Sequence, residues 1–426
     1  MMRPYRVKIA QESLDDLAAR LAATRFTRPL PGHGLGVPAG RVRHLVDYWR
    51  DGYDWRAWER RINVHPQFMT EIDGLDVHFL HIRSARPDAL PLILTHGWPM
   101  SVVEFLPLID RLSDAFHLVI PSVPGFGFSG VPREPGWNRR RVAAAWAELM
   151  RRLGYERYGA HGNDVGSLIS IELGRLDPHR VVGVHVTQIF SLPSADPAER
   201  ALLGPDDRAK LAALERFMAG RSSYLALQST QPQTLAHALA DSPAGQLAWN
   251  LQLFGDAVSD DYILTNATIY WLTDTAGSSA LIGYHGNRPP AGPSSIPLGL
   301  ACFADDFFLH PPARRTRPQR HRALEHLRQR RAPCRARGTP TPRRRPPHVL
   351  HPPPMTSPAS APAAAPVVFT RWGTHMGTQR MPTAFVVFFR NMNLGHPNSP
   401  TRAMLEDALR AAGRRRHGRS RRTGRS

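Results

Sequence analysis

Gly162-Asn163-Asp164-Val165-Gly166-Ser167 lies between a strand-like run at residues 155–160 and a helix-like run at 168–175. The pattern small–x–nucleophile–x–small between a strand and a helix is that of a nucleophile elbow, a tight turn that lifts one side chain above the edge of a sheet. Such a turn needs glycines because its backbone packs against neighbours with no room for Cβ atoms. The raised residue here is a carboxylate rather than Ser or Cys. That points to attack on a carbon electrophile and an alkyl–enzyme ester, not to acyl transfer. Taken alone, the hexapeptide reads equally well as a glycine-rich turn carrying a surface Asp.

A second motif decides between the two. Pro91-Leu92-Ile93-Leu94-Thr95 reads as a buried parallel strand and runs into His96-Gly97-Trp98-Pro99. In α/β-hydrolases a turn of this type after the third strand supplies one backbone N–H of an oxyanion hole, and the residue after the nucleophile supplies the other. Here the donors are Trp98 and Val165. The loop Gly125-Phe126-Gly127-Phe128-Ser129 falls between the two motifs, and the combination is specific where each part alone is not.

The rest of the first 310 residues agrees. Residues 70–72 and 77–82 flank Asp73-Gly74, a hairpin signal. Strand-like runs at 92–95, 117–121, 157–161, 181–189 and 296–303 then alternate with helical stretches at 101–112, 139–153 and 167–176, which predicts a parallel sheet with crossover helices. Residues 190–285 break the alternation with helical, proline-punctuated sequence, as a lid inserted after the sixth strand would. The first 65 or so residues read as helical, with Leu14, Leu17 and Leu21 at helical spacing and a packing role around the lid. The expected fold is an α/β-hydrolase with a mostly parallel sheet, a helical lid and an N-terminal helical extension.

From residue 3 to about residue 308 the chain resembles the microsomal-type epoxide hydrolase family in its bacterial soluble branch, within the peptidase S33-like α/β-hydrolases. Besides the two motifs, the resemblance rests on Leu45-Val46-Asp47-Tyr48-Trp49-Arg50-Asp51-Gly52-Tyr53-Asp54-Trp55, on the segment from Phe68 to Phe79, and on Gln231-Pro232-Gln233-Thr234-Leu235 followed by Asp241-Ser242-Pro243. It implies an N-terminal epoxide hydrolase region at 3–108 and a hydrolase core at 85–308. It also implies Asp164 as nucleophile, lid tyrosines at Tyr224 and Tyr284 that hold the epoxide oxygen, and a charge-orienting acid at Asp306, with Asp305 the runner-up. The implied partners are a small hydrophobic epoxide and water; no cofactor and no metal is expected. Two positions depart from the family pattern: Val165 stands where a Trp is usual, and Met100 stands where a Gly is expected and narrows the turn or the pocket.

The family's catalytic base has no counterpart. A segment resembling Arg-Gly-Gly-His-Phe-Ala-Ala-Leu-Glu is expected after the acid, yet residues 311–366 hold 14 prolines and no apolar periodicity. Residues 1–310 carry 30 Lys+Arg against 32 Asp+Glu, whereas 311–426 carry 25 against 3, so the chain's net +20 lies wholly in the tail. An Arg/Pro-rich tract with this sharp onset is what a GC-rich gene yields out of frame. The stretch 331–340 can be encoded so that a shifted frame reads Gly-Arg-His-Ala-Ala-Leu-Glu-Ala-Pro, the lost motif. On this reading 309–380 is disordered, 381–413 resembles the opening strand and helix of a small, unrelated α+β domain, and 414–426 is a basic tail. The alternatives are a catalytically dead remnant whose tail binds polyanions without specificity, and, more weakly, a haloalkane dehalogenase-like hydrolase.

Composition excludes several other classes. Two cysteines, Cys302 and Cys334, give no disulfide framework and fit a reducing cytoplasm. No secretory leader, membrane anchor or His/Cys/Asp cluster with metal-ligand spacing is expected. Basicity confined to a tail gives no reason to expect specific nucleic-acid recognition.

Overall fold

The computed structural model describes residues 2–32, 35–189, 201, 203–255, 258–285 and 296–301, together with 369–371 and 385–387; for 284 and 285 the description stops at the backbone. The chain divides into one unit of Met1–His310 with Phe389–Ser399 and a second unit made of the remaining residues.

In the first unit the order is β1 (Arg3–Tyr5), α1 (Gln11–Ala22), α2 (Ala39–Asp51), α3 (Trp55–Ile62), β2 (Gln67–Ile72), β3 (Leu75–Ile82) and β4 (Leu90–Thr95). A 3-10 turn at Val102–Phe105 then leads into α4 (Leu106–Leu112). It is followed by β5 (Phe116–Pro121), α5 (Arg139–Arg152), β6 (Tyr158–Gly162), α6 (Val165–Leu176), β7 (Val181–Val186) and, after the lid, β8 (Leu298–Leu300). The strands form one sheet in the order β1-β2-β3-β5-β4-β6-β7-β8. The pairs from β5 through β4, β6 and β7 to β8 are parallel, and the three on the other side are antiparallel. The β2–β3 hairpin closes at Asp73 and Gly74, with φ of 53° and 74°. Two consecutive left-handed residues match the twist of a two-residue hairpin, which is why Asp-Gly serves there.

The sequence reading placed the whole N-terminus in helices. The structure instead starts with β1, paired antiparallel to β2 through Arg3 and Met69, so residues 90–95 form the fourth strand and 298–300 the eighth. A three-residue strand has no periodicity to read. The helices that follow do pack around the lid: Leu17 and Leu21 of α1 share a core cluster with Leu247 and Leu251.

The lid helices are α7 (Pro205–Gly220), α8 (Ser223–Thr230), α9 (Pro232–Asp241), α10 (Pro243–Leu251), α11 (Asp260–Leu272), α12 (Ala276–Ser279) and α13 (Leu281–His285). Proline opens α7, α9 and α10, where its missing N–H leaves no intrahelical bond unmade. Helix α11 is buried continuously from Tyr262 to Tyr270. Its polar side chains survive there by bonding back along the helix: Thr265 Oγ1 to the Asp261 carbonyl, Asn266 Nδ2 to that of Tyr262 and Thr268 Oγ1 to that of Leu264. On one side Arg41 pairs with Asp260, the Tyr48 hydroxyl donates to Asp261 and the Tyr53 hydroxyl to Thr265. On the other, Ser101 Oγ donates to Asn266 Oδ1 at 2.7 Å and the Tyr270 hydroxyl to the Met100 carbonyl at 2.8 Å.

Described by itself, the second unit shows one antiparallel pair, β9 (Phe369–Arg371) with β10 (Phe385–Val387). The first of these lies in the tract expected to be disordered. The remaining expectations for 302–368 and 388–426, Cys302 and Cys334 among them, lie outside the described residues. Among the described residues, no helix is long and apolar enough to cross a membrane.

Several buried histidines make the fold acid-sensitive. His78 is fully buried, with Nδ1 2.9 Å from Ser122 Oγ and Nε2 3.0 Å from Gln67 Oε1. Burial pushes its imidazole down to about 3, and those of His96 and His161 down to about 4. An unfolded histidine titrates near ~6.5. Stability from a ring held neutral is therefore complete above that value and is lost as pH falls toward the folded one. The stability gap between the wild-type chain and His78→Gln is expected to narrow as pH drops from about 6.5 to 4. Urea midpoints across that range measure it, and a gap that stays constant contradicts the assignment.

Candidate active site

The site lies at the carboxyl ends of β4 and β6, the two neighbouring central strands at which the chain order of the sheet reverses, where open α/β sheets form their ligand crevice. Asp164 follows β6 after one residue, Asn163, and takes φ 51° and ψ −124° as the residue before α6. That left-handed conformation is unfavourable for a residue with a Cβ, and it persists because the surroundings fix it. A Cβ on Gly162 would fall 1.9 Å from the Gly166 carbonyl oxygen, and one on Gly166 would fall 2.1 Å from that of Thr95. Glycine at 162 lets the turn close on itself, and glycine at 166 lets it approach β4.

The His-Gly-Trp-Pro loop meets the elbow from the other side. The Trp98 N–H donates to Asp164 Oδ1 at 2.9 Å, and the Val165 N–H acts on the same carboxylate. Burial raises the Asp164 carboxyl above the usual range, and these two N–H groups pull it back. A side chain on Gly97 would collide with Asp164, its Cβ 2.3 Å from the Asp164 Cβ and 2.7 Å from Oδ1. His96 is a scaffold residue. Its Nε2 accepts from the Val123 N–H at 3.1 Å, so its proton is on Nδ1, which donates to the Gly97 carbonyl at 3.0 Å. Fully buried and held neutral, it has no free nitrogen to act as a base.

Tyr224 of α8 reaches the same place from the lid. Its ring stacks on the Trp98 indole, centroids 5.5 Å apart and planes 11° apart. Burial first, and the Asp164 charge second, push its phenol well up, so the hydroxyl keeps its proton. The Trp98 indole N–H donates to Ser279 Oγ at 3.2 Å, and the Ser278 hydroxyl to the Gly125 carbonyl at 2.7 Å. The glycine-rich loop at 125–129 thus anchors the second lid segment.

The structure therefore brings together Asp164, Trp98, Val165 and Tyr224. The backbone of Tyr284 lies in α13, and its side chain is outside the described atoms. Asp306 and Asp305 lie outside the described residues. Met100 does not narrow the turn by strain: it is not among the left-handed residues, and its side chain packs against a core cluster. Three residues that the sequence reading missed also belong here. Tyr270 feels the Asp164 charge and fixes the loop through the Met100 carbonyl. Glu104 is buried next to the carboxylate, and Asn163 bonds to it. Asn163 was visible as part of the elbow; nothing in a single sequence marks a Glu in an apolar helical run as buried. No group of His, Cys, Asp and Glu among the described residues could hold a metal.

An elbow of this build on a sheet of this order defines an α/β-hydrolase fold with Asp at the elbow. Residues 91–281 match the family described as alpha/beta hydrolase fold, and residues 2–105 match Epoxide hydrolase N terminus. The chain is 42% identical over 332 residues to a putative epoxide hydrolase of Stigmatella aurantiaca (strain DW4/3-1), covering 72% of this chain and 75% of that protein. It is 30% identical over 363 residues to epoxide hydrolase 1 of Sus scrofa, covering 73% and 80%. The structure of Aspergillus niger epoxide hydrolase superposes with a TM-score of 0.66 at 30% identity, over 71% of this chain and 84% of that one. The chain belongs to the epoxide hydrolase family.

Close packing at the elbow gives a direct test. Gly97→Ala and Gly166→Ala are each expected to destabilise the fold by about 1–3 kcal/mol through overpacking. Gly40→Ala, in α2 with nothing within 4 Å of its Cβ position, is expected to be neutral or to stabilise by about 0.5–1 kcal/mol. Urea denaturation separates the two outcomes; equal midpoints for all three variants contradict the packing account.

Proposed function

We propose that Asp164 opens an epoxide by forming a covalent ester, and that the chain is weak at the second step that releases a diol. The reading rests on one observation: the Asp164 carboxylate sits on a strained elbow with Oδ1 held by the Trp98 N–H and with Tyr224 over the loop that holds it. With Oδ1 engaged, Oδ2 attacks an epoxide carbon. The C–O bond breaks, its electron pair goes to the epoxide oxygen, and that oxygen takes the Tyr224 proton, with Tyr284 as the second donor. In the second step water adds to the Asp164 carboxyl carbon. As a base takes a proton from that water, negative charge collects on Oδ1 between the Trp98 and Val165 N–H groups; collapse breaks the ester C–O bond, the diol oxygen takes the remaining proton of the added hydroxyl, and the proton on the base returns to Tyr224.

Water attack needs a base, in the family a histidine oriented by the acid assigned here to Asp306. The sequence after residue 310 carries no such motif, and a shift of reading frame accounts for the change in composition; the gene's nucleotide sequence around codons 303–340 decides this. General-base catalysis contributes about 10²–10⁴-fold, so ester formation can outlast ester hydrolysis. The substrate class is a small hydrophobic epoxide, and the cysteine usage supports a cytoplasmic setting. The dehalogenase reading is disfavoured: a halide site needs free indole or amide N–H donors, and here the Trp98 indole is engaged with Ser279 and the Asn163 amide with Glu104.

Incubation with styrene oxide is expected to add one epoxide mass to the peptide containing Asp164, with a stoichiometric burst of consumption and almost no diol. Asp164→Asn abolishes the adduct, and Tyr224→Phe slows its formation by about 10²-fold. An adduct at another residue refutes the assignment. Sustained diol formation that is lost in His321→Ala or His326→Ala shows instead that the tail supplies a base.

A further inference from the structure

Glu104 is 1% exposed, in the 3-10 turn that follows the His-Gly-Trp-Pro loop, and the reaction above does not use it. Its Oε1 accepts from Asn163 Nδ2. Asn163 is itself fixed twice more: Oδ1 accepts from the Thr187 hydroxyl at 2.6 Å, and the backbone N–H donates to the Thr95 carbonyl at 3.2 Å. The Thr187 bond sets the sense of the amide, oxygen toward Thr187 and nitrogen toward Glu104. Asn163 immediately precedes Asp164. Gly97, whose N–H also pulls on the Glu104 carboxyl, immediately precedes Trp98. One carboxyl group thus ties the elbow to the loop that holds its nucleophile.

The surroundings of that carboxyl favour its neutral form. Oε2 has no hydrogen-bond partner. Among the described residues, the titratable groups that act on Glu104 or feel its charge are Asp164, Tyr262 and Tyr270. Both tyrosines are held protonated by burial, and none of the three is a cation. An ionised carboxylate with one bare oxygen, in dry protein beside a second carboxylate, is poorly compensated.

We propose that Glu104 is a positioning residue that acts as a neutral carboxylic acid, locking Asn163 and Gly97 in the geometry Asp164 needs and leaving the negative charge of the pair on the nucleophile. This rests on the reading of Asp164 as nucleophile. Burial pushes the Glu104 carboxyl up to about 8, so two adjacent carboxyl groups divide acid and base character by environment. On ionising, the bare oxygen draws in water or the neighbouring N–H groups, and those N–H groups belong to the residues that hold Asp164. Ester formation then acquires an alkaline limb although no histidine takes part in it.

The test follows single-turnover adduct formation by the full chain across the range from about pH 6 to pH 9. The wild-type rate is expected to fall around pH 8, where Glu104 ionises. Glu104→Gln, which keeps an acceptor for Asn163 and cannot ionise, is expected to stay within an order of magnitude of wild type at the acid end and to lose the alkaline limb. Glu104→Ala is expected to be slower by about a hundredfold at every pH, the usual effect of a small misplacement of reacting groups. A limb that persists in Glu104→Gln, or a Gln variant as slow as the Ala variant, overturns the proposal. An independent readout is the infrared C=O stretch of a protonated carboxylic acid, expected in wild type at the acid end, titrating near pH 8 and absent from Glu104→Gln. It decides the proposal if Glu104→Ala does not fold, and also if no epoxide labels the wild-type chain, which by itself would refute only the Asp164 reading. Lack of the band in wild type overturns the neutral form of Glu104.

Discussion

Backbone crowding between β4 and the turn after β6 is the constraint on which the rest of the site depends. Gly166 lets the turn approach the Thr95 carbonyl, Gly162 lets the turn close on itself at Gly166, and Gly97 leaves room for the Asp164 side chain, each at distances that no Cβ tolerates. That approach brings the Trp98 N–H within 2.9 Å of the Asp164 carboxylate. It also accompanies the positive φ of Asp164. The carboxylate is therefore placed by van der Waals contact and completed by hydrogen bonds. Interiors are close-packed and yield little, which keeps such a placement within the narrow tolerance that reacting groups require.

Around this contact the polar groups fall into two sets. The Trp98 and Val165 N–H groups act on the Asp164 carboxylate, and the Tyr224 ring stacks on the Trp98 indole beside it. Glu104, Asn163 and Thr187 form a hydrogen-bonded chain behind the elbow. His96 belongs with the second set despite its place in the motif, because both of its nitrogens are bonded to backbone. A histidine beside a nucleophile is an obvious candidate base, and here the direction of one N–H bond removes it from consideration.

The sheet was legible in the sequence because buried parallel strands write themselves as unbroken apolar runs, as residues 91–95 do. The elbow was legible because its glycines have one steric purpose. Strand β1 was not, since three residues are too few to show a pattern of their own and follow the pairing offered by β2. Tyr270 and Glu104 were missed for a different reason. Both lie in helical stretches where an aromatic or a Glu is ordinary, and their proximity to Asp164 exists only after α11 and the 3-10 turn are packed together. Met100 shows the reverse case, in which a departure from the family pattern brings no backbone strain because φ there is not left-handed.

Helix α11 is tied along one side to α2 and α3 and along the other to Ser101 and Met100. It cannot swing away without breaking an ion pair and several buried hydrogen bonds at once. The α8 side of the lid packs on α9 and α13 and, beside Asp164, carries the Tyr224 ring against the Trp98 indole. Aromatic pairs of this kind contribute about 0.5–1.5 kcal/mol beyond the area they bury, a small fraction of a domain's stability of about 5–15 kcal/mol. The two flanks of Asp164 are thus fastened unequally, by polar ties through α11 on one and by a ring contact backed by helix packing on the other.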